Sequence, residues 1–309
     1  MKRSRFPYLL ALLSTWMFAC QSNVPAQSES ATAPLETAAA EIPVIPTTCT
    51  AQNKATLEGH LVGLAEQSWG EVPIGAVAIA VGKRFLGVPY VAKTLDLPGD
   101  EQLVIEQQGL DCTTFLENSV VLARLAKQDR LTFADFQQEL AYIRYRDGAL
   151  AGYPSRIHYF SEWITHSSAR GIIDDMTQAI GGVPYELTLD FMSTHRTAYA
   201  QLAEDDEALA AITATEAALN QRTNLFYLPQ EKVAAQEHLI QDGDLIAITT
   251  SVKGLDIAHV GLAIHQNGRL HLFHASTTGK QVLISEKPLA DYLAGIKRHT
   301  GIMVGRLKE

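Results

Sequence analysis

The stretch Ala258-His259-Val260-Gly261-Leu262-Ala263-Ile264-His265-Gln266-Asn267-Gly268-Arg269 decides the C-terminal half of the fold. Asn-Gly between two apolar runs is a preferred two-residue hairpin turn, because both turn positions need positive φ. With Asn267-Gly268 as that turn, Gln266 pairs with Arg269. Counting outward sets Gly261 opposite His274 and His259 opposite Ser276. His259 and His274 then share one face as diagonal neighbours, with Cβ atoms about 7–8 Å apart. Gly261 leaves space for the imidazole across from it. His271 pairs with Ile264 and points to the other face, and a slip of one residue would exchange the two choices.

Outward from the hairpin the period stays at two. Residues 244–249, 260–265, 269–274 and 282–285 read as strands. Upstream the pattern is helical. Residues 113–127 are apolar nearly all round, as a core helix is, and Asp111 stands where its N-cap belongs. Further helices are expected over 56–68, 133–145 and 203–221, and a short strand over 103–105. Gly87-Val88-Pro89-Tyr90 reads as a turn into extended chain. Helices first and antiparallel strands later indicate an α+β domain.

Cys112 begins the buried helix, one residue after Asp111. Unpaired N–H groups and the helix dipole favour an anion there, so a lowered thiol pKa and an oxyanion site are expected. The plainer alternative is a buried structural cysteine. A thiolate, an imidazole and a polar group orienting that imidazole are the parts of a cysteine hydrolase. The histidines have two other readings, as half-buried strand residues or as a metal site. His259, His265 and His274 share a face, but zinc catalysis wants three ligands and an open position, and His-Glu-x-x-His is missing. The expectation is therefore no metal and no cofactor.

The chain of 309 residues carries a formal charge of −9. Residues 1–19 hold Lys2, Arg3 and Arg5 and no acid, so their removal would leave −12. Nucleic-acid binding needs clustered positive charge, and this balance argues against it. A composition of 47% hydrophobic and 19% charged residues is that of a globular protein. Residues 6–19 are apolar but short for a membrane span, and with the basic start they read as a signal peptide over 1–19. Met17-Phe18-Ala19-Cys20 resembles a lipobox, which implies acylation of Cys20. The alternative is simple cleavage nearby with loss of Cys20. Gln21 after the cysteine would leave the protein free to reach an outer membrane. Residues 20–46 then form a lipidated start and a flexible Ser/Ala/Thr/Pro/Glu linker, with a reach of about 28 Å. The expected place is the cell envelope or periplasm, with membrane contact through the lipid alone. Three cysteines, Cys20, Cys49 and Cys112, make no disulfide framework. A bond from Cys49 to Cys112 would block the nucleophile, so Cys49 is expected free or buried.

Gly87-Val88-Pro89-Tyr90, Leu110-Asp111-Cys112-Thr113-Thr114-Phe115, Gly243-Asp244-Leu245, His259-Val260-Gly261 and His274-Ala275-Ser276 occur in this order. The order resembles that of NlpC-type papain-like cell-wall cysteine hydrolases. Ile143-Arg144-Tyr145-Arg146, the run from Tyr153 to Phe160, and Asp190-Phe191-Met192-Ser193 resemble the N-acetylmuramoyl-L-alanine amidase-like branch. The resemblance implies one papain-like catalytic domain over 47–309, its N-terminal catalytic helix packed on an antiparallel sheet with helical insertions. It implies Cys112 as nucleophile, His259 as general base and acid, His274 as orienting group, and Tyr90 beside the thiol. The implied substrate is a peptidoglycan fragment, a soluble muropeptide, anhydro-muramic ends included. The implied bond is the amide between N-acetylmuramic acid and L-Ala. The alternatives are cleavage of the γ-D-Glu–diamino acid bond, a non-catalytic wall-binding lipoprotein, and a zinc amidase. In the stretch 144–163, Arg144, Arg156 and His158 are candidates to hold peptide carboxylates, and Tyr159 and Trp163 to stack on sugar.

Overall fold

Thr50 and Asp111 each cap a helix with a side-chain oxygen, and from these caps the N-terminal half is built. The computed structural model describes residues 45–309. The expected signal peptide, Cys20 and all but the end of the expected linker lie outside the described residues. Helices α1 (Ala51–Ala65), α2 (Ile74–Lys83), α3 (Cys112–Gln128), α4 (Phe133–Arg144) and α5 (Phe160–Ala169) come first. A longer insertion follows and contains the helix Asp206–Leu219. The first helix starts five residues before the expected 56, because Thr50 accepts from the Asn53 N–H and fixes the entry. The glycine-bearing stretch from 74 is helical. Gly82 lets α2 approach the sheet, where a Cβ would stand 2.8 Å from the Phe273 ring.

Strands β1 (Thr47–Thr48) and β2 (Leu103–Val104) pair in parallel. The main sheet contains β3 (Ile173–Asp175), β4 (Val183–Pro184), β5 (Phe226–Pro229) and β6 (Leu245–Thr250). It continues with β7 (Ile257–Gln266), β8 (Arg269–Ser276), β9 (Gln281–Ile284) and β10 (His299–Leu307). Its order is β4-β5-β10-β6-β7-β8-β9, with β3 also on β10. These pairings are antiparallel, so the architecture is α+β.

The hairpin has the expected register: Gln266 pairs with Arg269, Ile264 with His271 and Leu262 with Phe273. Asn267 and Gly268 take positive φ of 51° and 77°. Strand β10 is not apparent in the sequence. Gly301 and Gly305 interrupt its alternation, while Ile302, Met303 and Val304 form a continuous buried run. A strand paired on both sides and covered on both faces carries no period-two signal.

The sheet separates two cores. Phe115, Leu116, Val120 and Leu122 of α3 pack with Val260, Leu262, Ile264, Phe273 and Ala275 on one face. Ala263, Leu270 and Leu272 face the other way, toward Leu289 and Leu293 of the helix Leu289–Ala294. The rings of Phe115 and Phe273 meet at 5.1 Å and fix α3 against β8.

Candidate functional site

Two reciprocal hydrogen bonds close the start of α3. Asp111 Oδ1 accepts from the Thr114 N–H at 2.8 Å, and Thr114 Oγ1 accepts from the Asp111 N–H at 2.9 Å. This capping box uses the third N–H of the helix and leaves those of Cys112 and Thr113 outside it. Cys112 is partly exposed, but its sulfur sits in densely packed surroundings. The N–H groups of Val260 and Thr113 and the Thr113 hydroxyl are directed at that sulfur. Val260 is the residue after His259, so the first turn of α3 meets β7 beside the histidine.

The thiol pKa corrects the sequence expectation. Burial pushes Cys112 up to about 11, and the Asp111 carboxylate acts in the same direction. The hydrogen bonds from Val260 and Thr113 oppose this and are outweighed. At neutral pH Cys112 is therefore a thiol, not a preformed thiolate. Tyr90 lies close enough to feel the Cys112 charge. Burial, Cys112 and Asp111 push its phenol up to about 12, so it remains a hydrogen-bond donor.

His259 Nε2 and His274 Nδ1 are 2.5 Å apart, with the rings edge-on at 87°. Both are buried, at 8% and 1% exposure. They stand on the sheet face that carries the helix Leu289–Ala294, opposite the body of α3. Gly261 makes the crossing possible: a Cβ there would stand 3.0 Å from His274 Cβ and 2.6 Å from the Phe273 carbonyl oxygen. Burial lowers His259 to about 3, helped by repulsion from His274 and His299, and burial alone lowers His274 to about 4. Both imidazoles are neutral near pH 7. One hydrogen joins them, and the nitrogen of His259 that faces away from His274 is Nδ1. His271 turns to the other face, where Nδ1 meets the Ser285 carbonyl at 2.7 Å. His265 pairs with Asp242 at 2.7 Å instead of joining the other two imidazoles.

The candidate substrate contacts of the 144–163 stretch are engaged by partners within the fold. Arg144 is 3% exposed and spends its guanidinium on Glu117, at 2.7 and 3.0 Å, and on the Val104 carbonyl. Arg156 holds the 93–101 loop through the Leu95 carbonyl, Asp96 and Glu101, over the ring of Tyr153. His158 donates from Nε2–H to the Tyr153 carbonyl at 3.0 Å, and burial and Arg156 lower its pKa. The Tyr159 hydroxyl donates to Glu216 at 2.6 Å, and Trp163 stacks on Phe160 at 5.0 Å with 2% exposure. Buried cations need paired acids and buried aromatics need packing, so these five residues hold the fold together. Cys49 and Cys112 are both free.

Two residues at the site escape sequence reading. Tyr292 packs edge-on against His274 at 5.6 Å and lies within electrostatic range of Cys112. His299 on β10 faces Tyr292 at 5.9 Å. No local spacing links either to the hairpin, because both arrive through long-range contacts.

Comparison with known proteins agrees with this architecture. Residues 80–302 match the family model AmiA-like, described as N-acetylmuramoyl-L-alanine amidase-like. A crystal structure of an N-acetylmuramoyl-L-alanine amidase from Bacteroides uniformis is 39% identical, with a TM-score of 0.73. The match covers 76% of this chain and 99% of that one. A Bacteroides fragilis protein carrying a provisional xylanase name is 38% identical over 74% of this chain and 99% of its own, with a TM-score of 0.70. A Legionella pneumophila protein at 20% identity, covering 84% of this chain and 95% of its own, shares the fold with a TM-score of 0.64. A search of curated proteins gives no match. The extent of the family match and the near-complete coverage of the Bacteroides amidase show that the chain belongs to the AmiA-like, N-acetylmuramoyl-L-alanine amidase-like family.

Proposed function

We propose that this protein is a papain-like cysteine amidohydrolase that cleaves the amide between N-acetylmuramic acid and L-Ala in soluble peptidoglycan fragments. The observation that carries the reading is the buried His259–His274 pair together with the hydrogen bond that Val260, the residue after His259, gives to the Cys112 sulfur. Family membership supports an amide of peptidoglycan as the target. The charge of −12 left after removal of residues 1–19 gives no affinity for an anionic wall, in keeping with small muropeptides.

The reaction starts from a neutral thiol and a neutral imidazole. His259 carries its proton on Nε2, donated to His274 Nδ1, which leaves Nδ1 to take the proton of Cys112 as sulfur attacks the lactyl carbonyl. The raised thiol pKa makes this transfer part of the attack and not a step before it. The N–H group of Cys112, outside the capping box, with the Tyr90 hydroxyl, receives the oxyanion. His274 stabilises the imidazolium through its shared hydrogen. As the C–N bond breaks, His259 returns the proton to the amine of L-Ala. Water, deprotonated by His259, then hydrolyses the thioester and frees the lactyl carboxylate. No step calls on a metal.

The proposal includes export and tethering through an acylated Cys20, which would hold the domain at the envelope on its linker. Turnover of a muropeptide by the Cys112→Ala variant tests the reading. The expected result is loss of activity by at least about 1,000-fold with the fold intact. Undiminished turnover in that variant would end it.

A further inference from the structure

His274 touches more than His259. The edge of its ring meets Tyr292 at 5.6 Å and 75°, and Tyr292 in turn faces His299 at 5.9 Å and 33°. The four rings His259, His274, Tyr292 and His299 thus form one continuous array drawn from β7, β8, the helix Leu289–Ala294 and β10. His274 makes one side-chain hydrogen bond among the described residues, the one to His259. That bond fixes one ring nitrogen but not rotation of the ring about it. Tyr292 supplies the second wall.

His299 carries a second observation. It is 7% exposed, and its Nδ1 is buried without a hydrogen-bond partner. An apolar residue would fill that place at lower cost in stability. Tyr292 itself is half-buried, and its phenol lies within electrostatic range of Cys112 while its ring meets His274.

We propose that Tyr292 is a positioning residue of the reactive centre, whose ring, backed by His299, holds His274 edge-on so that its Nδ1 stays on His259. This rests on the cysteine reading above. The aromatic ring does the work, and the hydroxyl is secondary. Losing the ring frees His274 to turn, His259 no longer keeps its proton on Nε2, and Nδ1 is no longer reserved for the thiol. A small misorientation at a proton-transfer site lowers the rate without weakening substrate binding.

The test compares wild type, Tyr292→Leu, Tyr292→Phe and Cys112→Ala on one muropeptide, together with ¹⁵N spectra of the histidine rings. Tyr292→Leu is expected to lower kcat roughly 10- to 100-fold with KM within about twofold. Its His259 signals should shift from a single Nε2–H tautomer to a mixture, and iodoacetamide should modify Cys112 correspondingly more slowly. Tyr292→Phe should recover most of the rate and the single tautomer. Should Tyr292→Leu not fold, Tyr292→Met, closer in length, takes its place under the same criteria. If the leucine or methionine variant keeps kcat within twofold and the tautomer unchanged, Tyr292 is packing alone and the inference fails. If Cys112→Ala retains activity, the cysteine reading itself fails.

Discussion

Cys112 keeps its proton at neutral pH because removing the sulfur from water costs more than two N–H groups return. A helix start alone therefore does not make a thiolate, and in the proposed mechanism the neighbouring base has to take the proton. The arginines of the 144–163 stretch show a similar limit of sequence reading. A cation in an aromatic segment looks like a ligand for a carboxylate, and Arg144 does bind one, but that of Glu117 inside the core. Nothing local distinguishes the two cases, since the partner lies 27 positions away. Replacing Arg144 with Ala leaves a buried carboxylate unpaired and is expected to cost about 3–5 kcal/mol. Urea unfolding measures this, and KM of the folded fraction should not change. A raised KM with unchanged stability would restore Arg144 as a substrate contact.

At the level of elements, what the sequence reveals best is what local rules govern. The α3 boundaries follow from Asp111 and an apolar surface all round, and the hairpin register follows from Asn267-Gly268. His259 and His274 meet because that register holds. Strand β10, paired with β6 and β5 in the middle of the sheet, is hidden by its glycines and by burial on both faces. With β10 hidden, His299 stays hidden too. Gly261 is where the hairpin serves the site most directly. Gly261→Ala would press a methyl group onto the Phe273 carbonyl and His274 Cβ. The expected cost is about 1–3 kcal/mol from overpacking. His274 should move with it, so kcat should fall further than the loss of stability explains. Unchanged kinetics in a destabilised Gly261→Ala would mean that the close approach serves packing only.

For the whole molecule, the buried histidines set the response to acid. His60, His158, His166, His259, His274 and His299 all have lowered pKa values, with burial the first cause in each. In the unfolded chain each titrates near 6.5, and in the folded protein later, for His274 near 4 and for His259 near 3. Between these limits the unfolded state binds more protons, so stability falls as pH drops below about 6.5. Each such histidine removes up to about 1.4 kcal/mol per pH unit. The melting temperature should decline clearly from pH 7 to pH 5, and less so in His259→Gln. A flat profile would mean that these imidazoles are not buried as described. The chain belongs to an amidase-like family and folds as an α+β protein with a long antiparallel sheet. The bond it cleaves is the central claim, and mass spectrometry of one muropeptide after digestion tests it most directly. The account predicts a free peptide beginning at L-Ala and a sugar ending in a lactyl carboxylate, with neither formed by Cys112→Ala. A sugar still bearing L-Ala-D-Glu, or the same products from Cys112→Ala, would contradict it.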